Sequence, residues 1–164
     1  MVRHILFLSF TLLVLSPPVH AEDIVVEKVL VFKSQRELQL ITNGKIFRTY
    51  DIGLGRQPLG DKTQEGDSRT PEGHYVIDFR NPESKFTLSL HINYPNPQDS
   101  KLARSKGVSP GSDIFIHGLP TGMNDSAGIF RQKDWTDGCI ALSNQNIREM
   151  WALVKNGTPI EIRP

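Results

Sequence analysis

The side chains of this sequence best suited to covalent chemistry at neutral pH are a thiol and an imidazole. Cys139 is the only cysteine. It sits in Thr136-Asp137-Gly138-Cys139, ahead of the apolar run Ile140-Ala141-Leu142. His117 ends another apolar run, Ile114-Phe115-Ile116, and is followed by Gly118. A thiol nucleophile and its base must meet in space and not in sequence. A free thiol with a pKa of about 8.5 is mostly protonated at neutral pH, so an imidazole that accepts its proton raises its reactivity. Gly138 lets backbone or substrate come close, and the N–H groups around Gly138 and Cys139 are placed to hold a developing oxyanion. This set suits acyl transfer: attack on a carbonyl, a thioester, then release to an amine or to water. The competing reading of a lone cysteine is a small buried hydrophobe.

The remaining candidates read blandly. His74 opens a strand and is expected in solvent, and His91 falls on the polar face of its strand. A metal set of His91, His117, Asp137 and Cys139 lacks any zinc-ligand spacing, so no metal is expected. No Gly-rich phosphate loop precedes a helix, so no nucleotide cofactor is expected either. Trp135 and Trp151 are read as packing residues.

The elements that must position the pair read as mostly strand. Residues 24–32 are valine-rich and open the domain. Residues 37–41 and 45–50 flank Asn43-Gly44, a strong hairpin signal. Residues 53–73 are rich in glycine and charge with no apolar period, which predicts a long loop forming a functional rim, or else a solvated excursion. Residues 73–79 and 85–92 return to strand, the second by alternation of Phe86, Leu88, Leu90 and Ile92 with polar residues. A short helix is predicted over 99–106, closed by Gly107. Residues 113–116 form the strand that presents His117. Ser143 or Asn144 caps a helix on which Ile147, Met150, Trp151 and Val154 keep helical spacing. Residues 159–162 close the chain as a strand. The fold class is therefore mainly β: a single β-sandwich or barrel-like domain with one or two capping helices.

Of 164 residues, the first 21 predict a secretory signal peptide: Arg3, an apolar stretch over 5–15, and Val19-His20-Ala21 before the cleavage point. That stretch is too short to span a bilayer, which places the mature domain, 22–164, in the periplasm or cell envelope. The chain has 19 basic and 18 acidic residues, and the leader removes one basic residue. The near-neutral balance argues against nucleic acid and anionic lipid as partners.

These residues carry a resemblance. His117-Gly118, followed by Thr136-Asp137-Gly138-Cys139-Ile140-Ala141-Leu142-Ser143-Asn144, resembles the signature of the YkuD-type L,D-transpeptidase catalytic domain family. Gly66-Asp67-Ser68-Arg69-Thr70-Pro71-Glu72-Gly73 resembles its upstream T-P-x-G turn, and Gly157 to Ile162 its C-terminal end. Asp134-Trp135-Thr136 is similar to the murein branch of the YafK type. The resemblance implies a β-rich enzyme acting on peptidoglycan stem peptides, attacking the carbonyl between meso-diaminopimelate and a terminal D-alanine. Cys139 is then the nucleophile, His117 the base, and the Gly138 region the oxyanion hole. Asp137, Gly118 and Arg69 are substrate-side candidates, with Arg69 for a stem-peptide carboxylate. The acceptor is an amine on a second stem or an envelope lipoprotein, or water. A hydrolase of the same or a lipoprotein–peptidoglycan bond, and a non-catalytic wall-binding domain, are the alternatives. Two positions differ from the signature: Asp137 stands where histidine is usual, and Ala141 where arginine is frequent. The loop from His117 to Cys139 is also longer than usual.

Overall fold

The computed structural model describes residues 24–126 and 134–164. The leader read over 1–21 lies outside them. Ten strands and two helices are described: β1 (Lys28–Phe32), β2 (Glu37–Thr42), β3 (Lys45–Asp51), β4 (Leu54–Gly55), β5 (Gly73–Asn81), β6 (Ser89–Ile92), α1 (Pro97–Ser105), β7 (Phe115–His117), β8 (Asp134–Thr136), β9 (Ile140–Ala141), α2 (Asn144–Leu153) and β10 (Pro159–Arg163). Eight strands form one curled, half-barrel sheet in the order β3-β2-β1-β10-β5-β6-β7-β9, and β4 pairs with β8 beside it. The mainly-β reading with two helices holds.

Period-two alternation builds the core. In β1, Val29 and Val31 are fully buried while their neighbours are half-buried. Their parallel partners on β10, Ile160 and Ile162, face the same side. Ile147 and Met150 of α2 close that side. The hairpin falls where expected: Asn43 and Gly44 both take positive φ, 51° and 68°, as a tight two-residue turn requires. Asn96 caps α1 through a capping box, and Ser143 caps α2 by accepting from Asn146 N–H.

Several boundaries differ from the sequence reading. Strand structure begins at Lys28, not at residue 24. The strand that presents His117 begins at Phe115, because Asp113 adopts a left-handed φ of 60°. The predicted loop over 53–73 contributes β4, and Gly53 bridges to Ala141. The largest difference is at 85–92, where only residues 89–92 are strand. Thr87 adopts φ 64°, and the Phe86 carbonyl accepts the N–H groups of Leu88 and Gly118. This turns the chain out of the sheet before Ser89, which is buried opposite His117. The apolar alternation misled because Phe86 covers His117 rather than joining the core.

Candidate active site

Two short strands at one end of the sheet bring thiol and imidazole together. β7 lies between β6 and β9, with Ile116 beside Ile140 and His117 beside Ala141. Both isoleucines are fully buried in the core. Alternation therefore sends Cys139 and His117, their neighbours in sequence, to the other face. From strand spacing, the two Cα positions lie about 8 Å apart on a diagonal. Both side chains open onto one cavity of about 520 Å³.

His117 is 3% exposed. Its ring packs against Phe86 at 4.4 Å and against Trp135 at 5.6 Å between centroids, the latter edge-on. Nδ1 lies 2.7 Å from the Gly118 carbonyl. A carbonyl only accepts, so Nδ1 carries the proton and Nε2 keeps its lone pair. Burial pushes the imidazole pKa down, against a smaller upward pull from the Gly118 carbonyl. The resting ring is thus neutral at pH 7, with a free basic nitrogen. Gly118 is held in turn: a Cβ there would lie 2.8 Å from Asn144 Oδ1, and that same oxygen accepts from Leu119 N–H at 3.0 Å.

The Cys139 sulfur accepts from the Phe115 N–H at 3.4 Å, and its S–H donates to the Asp113 carbonyl at 3.7 Å. Burial pushes the thiol pKa up. The Phe115 amide works against this, Asp137 and Asp113 add to it, and Lys62 opposes it. Burial thus favours the uncharged form of both groups, so the resting pair is neutral thiol and neutral imidazole, not a preformed ion pair.

Gly138 shows why the turn before the thiol needs glycine. Its φ is +128°, and a Cβ would lie 2.6 Å from the Arg69 carbonyl. Its N–H donates to Thr136 Oγ1 at 3.1 Å, and that hydroxyl donates to the Cys139 carbonyl at 2.7 Å. A Cβ on Gly55 would lie 2.1 Å from the Ser68 carbonyl. The stretch around 68–70 is thereby packed between β4 and the cysteine turn. Arg69 meets the site through its backbone: its guanidinium turns to the Asp61 carbonyl, 3.4 Å away, and is not among the residues lining the Cys139 cavity.

Asp137 lines the cavity mouth with its side chain 77% exposed. It pairs with Arg56 and accepts from Ser68 Oγ at 3.3 Å. The positive φ of Gly138 breaks an extended run between Asp137 and Cys139, so period-two alternation does not set their relative facing. Among the described residues, no cluster of three metal-ligating side chains occurs. His91 pairs with Asp78 at 2.6 Å, and His74 is exposed. Trp151 is a packing residue under Arg80, whereas Trp135 also lines the cavity. The sequence reading missed the part played by Phe86, whose partner is distant in sequence. It also missed Arg56, a charge in a loop with no local pattern.

Comparison with known proteins gives the family of this chain. A family profile described as the YkuD, L,D-transpeptidase catalytic domain matches residues 27–162. The Escherichia coli K12 protein named "Putative L,D-transpeptidase YafK" is 31% identical over 132 residues, 77% of this chain and 46% of its own. Among solved structures, the helical cell shape determining protein Pgp2 from Campylobacter jejuni matches with TM-score 0.62 and 29% identity, over 87% of this chain and 48% of that one. Bd1075 from Bdellovibrio bacteriovorus matches with TM-score 0.59 and 26% identity, over 88% and 50%. The chain spans about half the length of these relatives. With the profile covering nearly every described strand and both site loops, this chain belongs to the YkuD family of L,D-transpeptidase catalytic domains.

Proposed function

We propose that this domain performs cysteine-dependent acyl transfer on peptidoglycan stem peptides. The observation that carries the reading is the neutral His117, its Nδ1–H tied to Gly118, opening onto the same cavity as the only cysteine. As substrate enters, the Cys139 S–H passes its proton to His117 Nε2 while sulfur attacks the scissile carbonyl. The Cys139 N–H holds the oxyanion, since the Gly138 N–H is committed to Thr136. Collapse breaks the C–N bond, and the imidazolium returns its proton to the leaving amine. A thioester remains. An incoming amine, or water, attacks it and gives its proton to His117, and the thiol is regenerated. Family membership supports the substrate class, and likeness to Pgp2, a helical cell shape determining protein, supports a place in wall remodelling. The leader pattern over residues 1–21 supports export to the envelope.

Incubation of the mature protein with muropeptides, read by mass spectrometry, tests this. A cross-linked dimer or an exchanged stem shows transpeptidation, and a stem shortened by one residue shows water as acceptor. No product with wild type overturns the catalytic reading. Cys139→Ala should abolish turnover while staying folded, and His117→Gln should lower kcat/KM by about 10²–10⁴.

A further inference from the structure

Asn144 is the first residue of α2, directly after the Ser143 cap, and is not among the residues lining the Cys139 cavity. The helix that carries it is anchored in the core by Ile147 and Met150, both fully buried. From this base its side-chain amide reaches the chain that follows His117. Oδ1 accepts the Leu119 N–H at 3.0 Å, and Nδ2 donates to the Met123 carbonyl at 2.7 Å. A backbone N–H only donates and a carbonyl only accepts, so these partners fix which end of the amide is oxygen. The Thr87 hydroxyl also lies 2.9 Å from Oδ1.

The Leu119 N–H and the Gly118 C=O belong to one peptide group. A trans peptide is planar, so the two bonds point in opposite directions. Asn144 Oδ1 holds one end, and His117 Nδ1 lies 2.7 Å from the oxygen at the other. Turning the plane to break one contact therefore breaks the other. The preceding peptide has backbone partners at both ends: the His117 carbonyl accepts from Leu142 N–H at 2.8 Å, and Gly118 N–H donates to the Phe86 carbonyl at 3.1 Å. The peptide between 118 and 119 is oriented by side chains instead. A side chain at Gly118 would force them apart, since a Cβ there would lie 2.8 Å from Asn144 Oδ1.

We propose that Asn144 is a positioning residue for the base: through the 118–119 peptide it holds His117 in the Nδ1–H tautomer, leaving Nε2 free to take the Cys139 proton. A neutral imidazole can carry its proton on either nitrogen. With the proton on Nε2, the ring offers the thiol a donor and cannot accept from it. Hydrogen bonds in series also polarise one another, so the Asn144 contact strengthens the Gly118 carbonyl as an acceptor. A stronger acceptor at Nδ1–H favours the imidazolium that forms when the thiol gives up its proton. The inference rests on the acyl-transfer reading above, in which His117 is the base. Asn144 itself touches no reacting atom.

Two-bond proton–nitrogen NMR spectra of the imidazole rings read the tautomer directly, alongside steady-state kinetics on muropeptides. Wild type is expected to show His117 in the Nδ1–H form alone, and the Nε2–H form there overturns the inference. Asn144→Ala should show both tautomers and lose about 10–100-fold in kcat, with KM little changed. Asn144→Asp keeps an oxygen facing Leu119, and should restore the single tautomer and most of the turnover. If Asn144→Ala does not fold, Asn144→Ser, too short to reach the Leu119 N–H, takes its place with the same expectation. A variant that is less stable, yet keeps the Nδ1–H form and wild-type kcat, shows that Asn144 holds the loop only. That result overturns the inference and leaves the function standing. Absence of turnover in wild type overturns the function. Tautomers that then match in wild type and Asn144→Ala overturn the inference as well, and tautomers that differ keep Asn144 as the residue that sets the ring.

Discussion

At the scale of single residues, the site is set by what burial does to two titrating groups. A lowered imidazole pKa and a raised thiol pKa leave both neutral across the middle of the pH range. The kcat/KM profile should therefore rise through an apparent pKa below 6.5 and hold a plateau to beyond the ordinary thiol range. A profile that peaks narrowly near pH 6 would point to a preformed ion pair instead. Phe86 supplies part of that burial, so in Phe86→Leu the acid limb should move up toward the free-imidazole value. Asp137 acts on the thiol from the cavity mouth. Its carboxylate pushes the Cys139 pKa up, though Arg56 and solvent screen it. Asp137→Asn should thus speed alkylation of Cys139 by iodoacetamide at pH 8, and an equal or slower rate would show that the carboxylate does not reach the thiol electrostatically.

At the scale of elements, the rim over residues 60–72 has its own internal skeleton. Burial alone raises the Asp67 carboxyl. Lys62 at 2.8 Å, together with the N–H groups of Thr63, Gln64 and Arg69, outweighs this and brings its pKa below the ordinary value. A carboxylate lowered in this way contributes stability that is fully present above its unfolded pKa. That contribution is lost as the pH falls through the lower folded value. Asp67→Ala leaves Lys62, only 4% exposed, without its partner, and should cost about 3 kcal/mol in chemical denaturation at pH 7. The difference between wild type and variant should shrink as the pH drops below 3.8. A constant difference down to pH 2 would mean that the charge of Asp67 is not what holds the rim.

At the scale of the whole molecule, one buried lysine joins the rim to the sheet. Lys33, just after β1, is 2% exposed, and its ammonium donates to the carbonyls of Gly60 and Thr70 and to Glu72 at 2.6–2.8 Å. Thr70 Oγ1 accepts the Gly55 N–H, and the neighbouring Arg69 carbonyl abuts Gly138. A continuous chain of contacts thus runs from the central sheet to the turn bearing Cys139. Lys33→Met removes three bonds from a buried centre and should cost about 3 kcal/mol. By native-state hydrogen exchange, amides of the rim should then open well before those of β1, β10 and β5, which lie inside the sheet with neighbours on both sides. Uniform loss of protection across the sheet would show that Lys33 holds the core and not the rim.

The sequence alone determined the hairpin at Asn43-Gly44, the capped helix α2, the alternating strands β1 and β10, and the candidacy of Cys139 and His117. Each rests on local physics: a turn that needs positive φ, a capping side chain, a period of two, or a lone thiol beside a glycine. Tertiary structure decided the rest. Segment 85–88 left its apparent strand because Gly118, far along the chain, offered its N–H to the Phe86 carbonyl. The tautomer of His117 follows from a carbonyl whose position depends on Asn144. Asp137 found Arg56, and the Arg69 side chain went to Asp61 rather than the cavity. Periodicity and propensity act over a few residues, whereas these pairings are fixed by the register of β7 against β6 and β9. That register exists only once the whole sheet has formed, so the candidate residues were legible in the sequence, while their protonation and their partners were not.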